Sequence, residues 1–194
     1  MTEFYYFTQK EESSPIMWSI GVEPSPISLN IFLDELKQVP HFCRGDEESI
    51  SINHFYNSLI ISTNVIYVFS GKGEESSIKG VIAFNYDNGR KEVHIVSLCT
   101  VEPGYGAPLV EMVKKYTANA GGLVLSTIAS KNNLGFYQKM GFIEDTDGFI
   151  NKQIRMNYRV DGRKGGYRRK SKKRIFSKSK IRRTKKFKQK HNKN

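Results

Sequence analysis

Two glycines and a tyrosine carry the chemistry most plainly written in this chain. Gly104-Tyr105-Gly106 follows an apolar run at 93–101 and precedes a stretch with helical periodicity. Glycines let a backbone turn tightly and approach a ligand without a Cβ. The first amides of a helix have no intrahelical acceptor, and with the helix dipole they favour an anion such as a pyrophosphate. One element later comes Phe136-Tyr137-Gln138-Lys139-Met140-Gly141-Phe142. The phenol of Tyr137 could act on whatever that anion is attached to. Pro108 withdraws one amide from the helix start and presets φ for a first turn, which predicts that the helix begins there.

The elements that must position these residues can be read from periodicity. Leu109, Met112, Val113, Tyr116 and Ala120 fall on one face of a helix, and Gly121-Gly122 stops it. Residues 123–128 read as a buried strand. A short helix over about 131–140 follows, with Ser130 as cap and Gly141 just past its end. Upstream, 65–69, 78–84 and 93–101 form a three-strand meander. Residues 71–76 supply one turn, and Asn88-Gly89 supplies the other with a hairpin signal. Residues 154–160 offer a last strand. Before the meander, 3–7 read as a first strand and 10–26, rich in Ser, Pro and Glu, as a loop. Leu29, Phe32, Leu33 and Leu36 make a helix over 28–37, capped by Ser28 and ended by Pro40. Residues 46–62 suit either a helix or a strand. The order is that of a mixed α/β layer, an α+β mixed sheet with helices on its faces.

This order and its punctuation resemble the GNAT superfamily of acetyl-CoA-dependent N-acetyltransferases, over roughly residues 78–160. Two phrases carry the resemblance. Leu98-Cys99-Thr100-Val101-Glu102-Pro103-Gly104-Tyr105-Gly106-Ala107-Pro108-Leu109-Val110 is similar to the family's pyrophosphate loop and following helix. Asn133-Leu134-Gly135-Phe136-Tyr137-Gln138-Lys139-Met140-Gly141-Phe142 is similar to its late helix end, and is the more specific of the two. The resemblance implies acetyl-CoA as co-substrate, no metal, and direct transfer to an amine. It implies coenzyme contacts at Leu98, Cys99, Thr100, Gly104, Tyr105, Gly106, Ala107 and Asn133. Two departures stand out. Val101 falls where the family carries a basic or amide residue, and Ser130 falls where it carries Asn.

Acetyl transfer needs a donor to the acetyl oxygen, a proton for the leaving thiolate and an acceptor for the amine proton. By resemblance, a backbone amide near residues 98–100 meets the first need and Tyr137 the second. Tyr137 also reads as a core aromatic, since Leu134, Tyr137 and Gly141 share a helix face. Glu92 and His94 open the central strand and could relay the amine proton. The alternative is a solvated glutamate and a structural histidine. Glu102 reads as a surface loop residue, and Cys99 as a small buried hydrophobe.

Charge divides the chain in two. All 19 acidic residues lie at or before Asp161, while 162–194 hold 11 Lys and 6 Arg. Residues 1–161 therefore carry 14 basic against 19 acidic groups, a net of −5. The expectation is a GNAT-like domain over 1–161 and a disordered tail over 162–194, too poor in apolar residues to fold alone. Basic blocks such as Lys172-Lys173-Arg174 read as polyanion contacts, with DNA or RNA as partner, or as nuclear or nucleolar addressing. A compact domain with such a tail also resembles proteins of large eukaryotic DNA viruses in composition. The alternative function is therefore an inactive GNAT-fold protein that binds nucleic acid or associates with virions. Cys43 and Cys99 read as lone thiols of a reducing compartment. His41 beside Cys43 is no zinc site without a second pair. No run reaches the ~18 apolar residues of a membrane span, so the chain reads as soluble and intracellular.

Overall fold

Strands buried on both faces read as nearly continuous apolar runs, and the middle of this sheet is built from three of them. Asn-Val-Ile-Tyr-Val-Phe-Ser, Ser-Ile-Lys-Gly-Val-Ile-Ala-Phe and Glu-Val-His-Ile-Val-Ser-Leu-Cys-Thr are dense in β-branched and aromatic residues. The computed structural model describes residues 2–39, 52–70, 77–150 and 153–160. The expected helix stop at Pro40, the turn at 71–76, the His41/Cys43 pair and the tail at 162–194 lie outside the described residues.

In chain order the elements are β1 (Thr2–Thr8), α1 (Ser14–Ser19), β2 (Glu23–Pro24), α2 (Leu29–Gln38), α3 (Ile52–Ile61), β3 (Asn64–Ser70), β4 (Ser77–Asp87), β5 (Glu92–Thr100), α4 (Gly106–Asn119), β6 (Val124–Ala129), α5 (Leu134–Lys139), β7 (Ile143–Ile150) and β8 (Gln153–Arg159). Among the described residues the strands form one mixed sheet in the order β2-β1-β3-β4-β5-β6-β8-β7. The β1/β2 and β5/β6 pairs are parallel and the rest antiparallel. This is the mixed α/β architecture expected from the sequence.

Side chains alternate across each strand, so the sheet feeds two cores. Ile66, Val68, Ile82, Phe84, Val93 and Ile95 pack with α1, α4 and α5 through Met17, Leu109, Val113, Tyr116 and Tyr137. Val65, Tyr67, Val81 and Ala83 pack with α2 and α3 through Phe32, Leu36, Phe55 and Leu59. Each of those last four side chains is fully buried and stabilises the fold by about 1.5–3 kcal/mol. Buried hydroxyl pairs pin α3 to β5 and the start of α1 to α4, where apolar packing alone would let them slide. Ser58 of α3 meets Ser97 of β5 at 2.6 Å, and Ser13 meets the Tyr116 phenol at 3.0 Å.

Several sequence expectations need correction. The segment expected to be a loop at 10–26 contains α1 and β2, because Met17, Ile20 and Val22 reach the core. The helix expected to start at Pro108 starts at Gly106. Proline sits in its first turn, where the missing N–H has no intrahelical acceptor to lose. Of the ambiguous stretch at 46–62, the described part forms α3 over Ile52–Ile61, settled by burial of Phe55 and Leu59, and 46–51 lie outside the described residues. A strand not expected at all, β7, precedes β8 at the sheet edge. Ser130 makes no side-chain cap bond, and a single 3-10 turn at Lys131–Asn133 leads into α5. Gly121 (φ +70°) and Gly141 (φ +82°) end α4 and α5 in the left-handed region, as the sequence predicts. Among the described residues no helix is long and apolar enough to cross a membrane.

Candidate active site

Parallel neighbours β5 and β6 separate partway along their length. Their pairing runs from Glu92↔Val124 to Ile95↔Thr127 and stops, although β5 continues to Thr100 and β6 to Ala129. Beyond the fork, β5 pairs only with β4. Hydrogen bonding in an antiparallel pair alternates along the strand. Val101 donates to the Lys79 carbonyl at 2.9 Å, so Cys99, two residues back, also turns its amide toward β4. Leu98 and Thr100 then present theirs to the gap. These two amides are the only part of the 98–100 expectation aimed at the fork. Cys99 does not line it, and its sulfur is disulfide-bonded rather than the lone thiol expected from sequence.

The glycine turn closes the open end of the fork. Gly104 adopts φ +107°, and a Cβ added there would meet nothing within 4 Å. A Cβ on Gly106 would sit 3.4 Å from the Phe136 ring, so the starts of α4 and α5 are packed side by side. No side chain caps α4 at Tyr105, and its first turn contains no acidic residue, so the Gly106 and Ala107 amides are unspent. A glycine cradle, uncapped amides and absent acid together suit a pyrophosphate. Ligands in such sheets bind beyond the carboxyl ends of parallel strands, which is this position. Lys79 lies beside the loop, ion-paired to Glu102 at 3.4 Å, and brings a cation near Val101, where the loop itself lacks one. Asn133 is exposed at the start of α5. A hollow of 410 Å³ adjoins the turn, lined by Thr2, Phe4, Glu102, Gly104, Tyr105 and Pro108 among others.

Tyr137 stands at the fork on the α4/α5 face. Its ring packs edge-on against Phe136 and Phe142, with centroids 5.0 and 5.3 Å away. Its hydroxyl is hydrogen-bonded to the Thr127 side chain, on the last paired residue before the strands part. Thr127 in turn donates to the Ile95 carbonyl at 3.4 Å. Burial pushes the phenol up and the Thr127 bond offsets part of that, so Tyr137 stays protonated at neutral pH.

Glu92 and His94 lie on the opposite face, one rung away. Val93 and Ile95 enter the core with α4, so their alternating neighbours face the α2/α3 side. Here the structure brings together more than the sequence reading foresaw. Ser126 of β6, fully buried, donates to Glu92 Oε1. The same carboxylate oxygen is ion-paired to Arg155 of β8. His94 Nδ1 lies 2.9 Å from Ser126 Oγ. Burial pushes the His94 imidazole below its ordinary 6.5; Glu92 raises it and Arg155 lowers it further. Ser126, Thr127 and Arg155 were missed from sequence. For the two hydroxyls the signal was present, as an adjacent Ser-Thr pair inside the otherwise apolar β6; Arg155 lies in a strand that alternates polar and apolar residues and carries no such mark.

The site therefore has a glycine turn with an uncapped helix start at one end of the fork, a protonated phenol on one face and a neutral imidazole on the other. Comparison with known proteins agrees with this fold. Residues 56–158 match the model of an acetyltransferase (GNAT) domain. In structure the chain is similar to the IAA acetyltransferase of Bacillus cereus ATCC 14579, with TM-score 0.50 and 13% identity over 82% of this chain and 99% of that one. It is also similar to a Bacillus subtilis acetyltransferase solved in complex with CoA, with TM-score 0.46 and 18% identity over 70% of this chain and 95% of that one. Against nourseothricin acetyltransferase the TM-score is 0.42 and the identity 15%, over 50% of this chain and 65% of that one. The chain thus spans slightly less than two thirds of that last protein. No curated protein matches the sequence.

Proposed function

We propose that this chain, which belongs to the acetyltransferase (GNAT) domain family, moves an acetyl group from acetyl-CoA directly to a primary amine. Residues 1–161 would form the catalytic domain, with 162–194 as a basic appendage. The observation that carries this reading is the fork between β5 and β6, with Tyr137 at one face and His94 at the other.

Bound coenzyme supplies an activated acetyl thioester. The Gly106 and Ala107 amides at the start of α4 would hold its pyrophosphate, with Gly104 and Tyr105 shaping the turn. The Leu98 or Thr100 amide, fixed by the β4 ladder, would donate to the acetyl oxygen as charge develops there. His94, with Glu92 behind it, would take the proton that the amine loses as its nitrogen bonds the acetyl carbon. Tyr137 would give its proton to the sulfur as the carbon–sulfur bond breaks. Solvent returns one proton to Tyr137 and removes one from His94, so the balance is amine plus thioester to amide plus free thiol. The acceptor is a protein lysine, an N-terminus or a small amine. No acyl-enzyme is needed, so Cys99 has no role as a nucleophile.

A thiol-release assay over a panel of amines tests the reaction. Thermal stabilisation by acetyl-CoA, lost in Gly106→Arg, tests the cradle. A second reading is favoured by Val101 in the loop and by 17 basic residues in 162–194. On that reading the domain has lost catalysis and the protein binds DNA, RNA or another polyanion. It requires no response to acetyl-CoA, together with salt-sensitive DNA binding that disappears when 162–194 are removed.

A further inference from the structure

Glu92, Ser126, His94 and Arg155 form one connected group across three strands. A carboxylate only accepts hydrogen bonds, so the Ser126 hydroxyl must spend its proton on Glu92. Its oxygen is then an acceptor toward His94, and Nδ1 must carry the hydrogen across the 2.9 Å contact. The other ring nitrogen, Nε2, is left with the lone pair.

We propose that Ser126 and Arg155 are positioning residues for acetyl transfer. Ser126 holds His94 as the Nδ1–H tautomer so that Nε2 takes the amine proton, and Arg155 holds the Glu92 carboxylate on Ser126. This inference rests on the acetyl-transfer reading and assigns its proton path.

The order of groups has a physical reason. A carboxylate placed directly against the ring would favour imidazolium, which cannot accept a proton. Here a neutral hydroxyl stands between them, so Glu92 orients the ring through a hydrogen bond while its charge is shared with Arg155. The charged groups acting on the imidazole are Glu92 from β5 and Arg155 from β8. The residue opposite it on β4 is the uncharged Asn85, whose oxygen is engaged by Thr63. Burial dominates, and the ring is held neutral. A serine whose only task was to satisfy itself in a buried strand would not need a carboxylate on one side and an imidazole on the other.

The tautomer can be read without coenzyme or acceptor. The full chain, labelled with ¹⁵N-histidine, is examined by long-range ¹H–¹⁵N correlation. The chain has 4 histidines, and His94 is assigned by its absence in His94→Gln. The expected result is a protonated Nδ1 and a bare Nε2 in the wild type at neutral pH. In Ser126→Ala the ring should revert to Nε2–H, while Ser126→Thr, which keeps a hydroxyl, should restore the wild-type pattern. Turnover should follow: kcat falls roughly 10- to 100-fold in Ser126→Ala with the acetyl-CoA KM unchanged, part of the 10²–10⁴ that general base catalysis supplies. An Nε2–H wild type, or a tautomer indifferent to Ser126→Ala, overturns the inference even if the enzyme is active. An Nδ1–H tautomer in a protein that acetylates no amine overturns the positioning role along with the transfer reading.

Discussion

Replacing Tyr137 by phenylalanine separates a catalytic phenol from a core aromatic more cleanly than any other single change. The ring contacts to Phe136 and Phe142 are made by carbon atoms and survive the substitution. The hydroxyl loses its bond to Thr127, but Thr127 keeps the Ile95 carbonyl as a partner, so no buried donor is stranded. One neutral hydrogen bond is then the whole structural loss, about 0.5–1.5 kcal/mol. If Tyr137 protonates the leaving thiolate, kcat falls by about 10²–10⁴, an increase in barrier of roughly 2.7–5.5 kcal/mol. The catalytic effect exceeds the structural one by a margin that urea unfolding and a thiol-release assay can both resolve. Because burial raises the phenol, Tyr137 stays in its acid form well past neutral pH, and the alkaline limb of the wild-type kcat profile lies above 10. A Tyr137→Phe protein with wild-type kcat refutes the acid assignment and leaves Tyr137 as packing.

Four further outcomes follow from the structure. His94 must be unprotonated to accept a proton, and its pKa is lowered, so the acid limb of kcat/KM lies below 6.5. Glu92→Gln removes the group that raises it and moves the limb lower still, whereas Arg155→Gln moves it up. Shifts in the same direction would refute the arrangement. The same depression means that the unfolded chain takes up this proton first. The stability His94 contributes is therefore whole above 6.5 and is lost as pH falls through the folded value, which denaturant melts across pH 5–7 can follow. Gly141→Ala places a Cβ at φ +82°, 3.6 Å from the Tyr158 ring, and costs about 1–2 kcal/mol by thermal unfolding. Phe32→Ala empties a fully buried site against Phe7 and Tyr67 and costs about 3–5 kcal/mol, with little change in acetyl-CoA binding because it lies on the other face from α4.

What could be read from the sequence was what periodicity and glycine encode. Leu109, Val113 and Tyr116 mark the buried stripe of α4, and all three are fully or almost fully inside. Gly121 and Gly141 take the left-handed conformations their positions require. What escaped was short or charged. The helix α1 has six residues, and Met17 is its one fully buried side chain, too little for a periodic signal. The strand β7 carries Glu144 and Asp145 just after its first residue, acids that suit a sheet edge and read as a loop. The fork itself left no trace in composition, because it consists of hydrogen bonds that are not made. Ser126 and Arg155 were hidden for a related reason: their meaning depends on which residues of neighbouring strands stand beside them.

The two-faced character of β5 has a single local cause. Opposite Ala83 and Phe84 the register slips, with Ser97 and Ile95 as partners and Val96 as the extra residue. A bulge of this kind reverses which face each later side chain takes. Before it, Glu92 and His94 face the α2/α3 side. After it, Ser97 and Cys99 do, while Leu98 packs toward α4. Uninterrupted alternation would turn Leu98 and Thr100 to the same face as His94 and would carry Ser97 away from Ser58, untying α3. The bulge comes one residue past the last rung shared with β6, so the change of face and the opening of the gap coincide. A single strand thus gives Glu92 and His94 to the proposed proton relay on one face and the Leu98 and Thr100 amides to the gap. Deleting Val96 removes only the extra residue: Ile95 stays opposite Phe84 and Ser97 opposite Ala83, so the later side chains keep their faces and Ser97 keeps Ser58. Inserting one further residue beside Val96 instead reverses those faces, and should abolish turnover and weaken the α3 anchor together. An insertion variant that keeps kcat would show that the faces need not be divided this way.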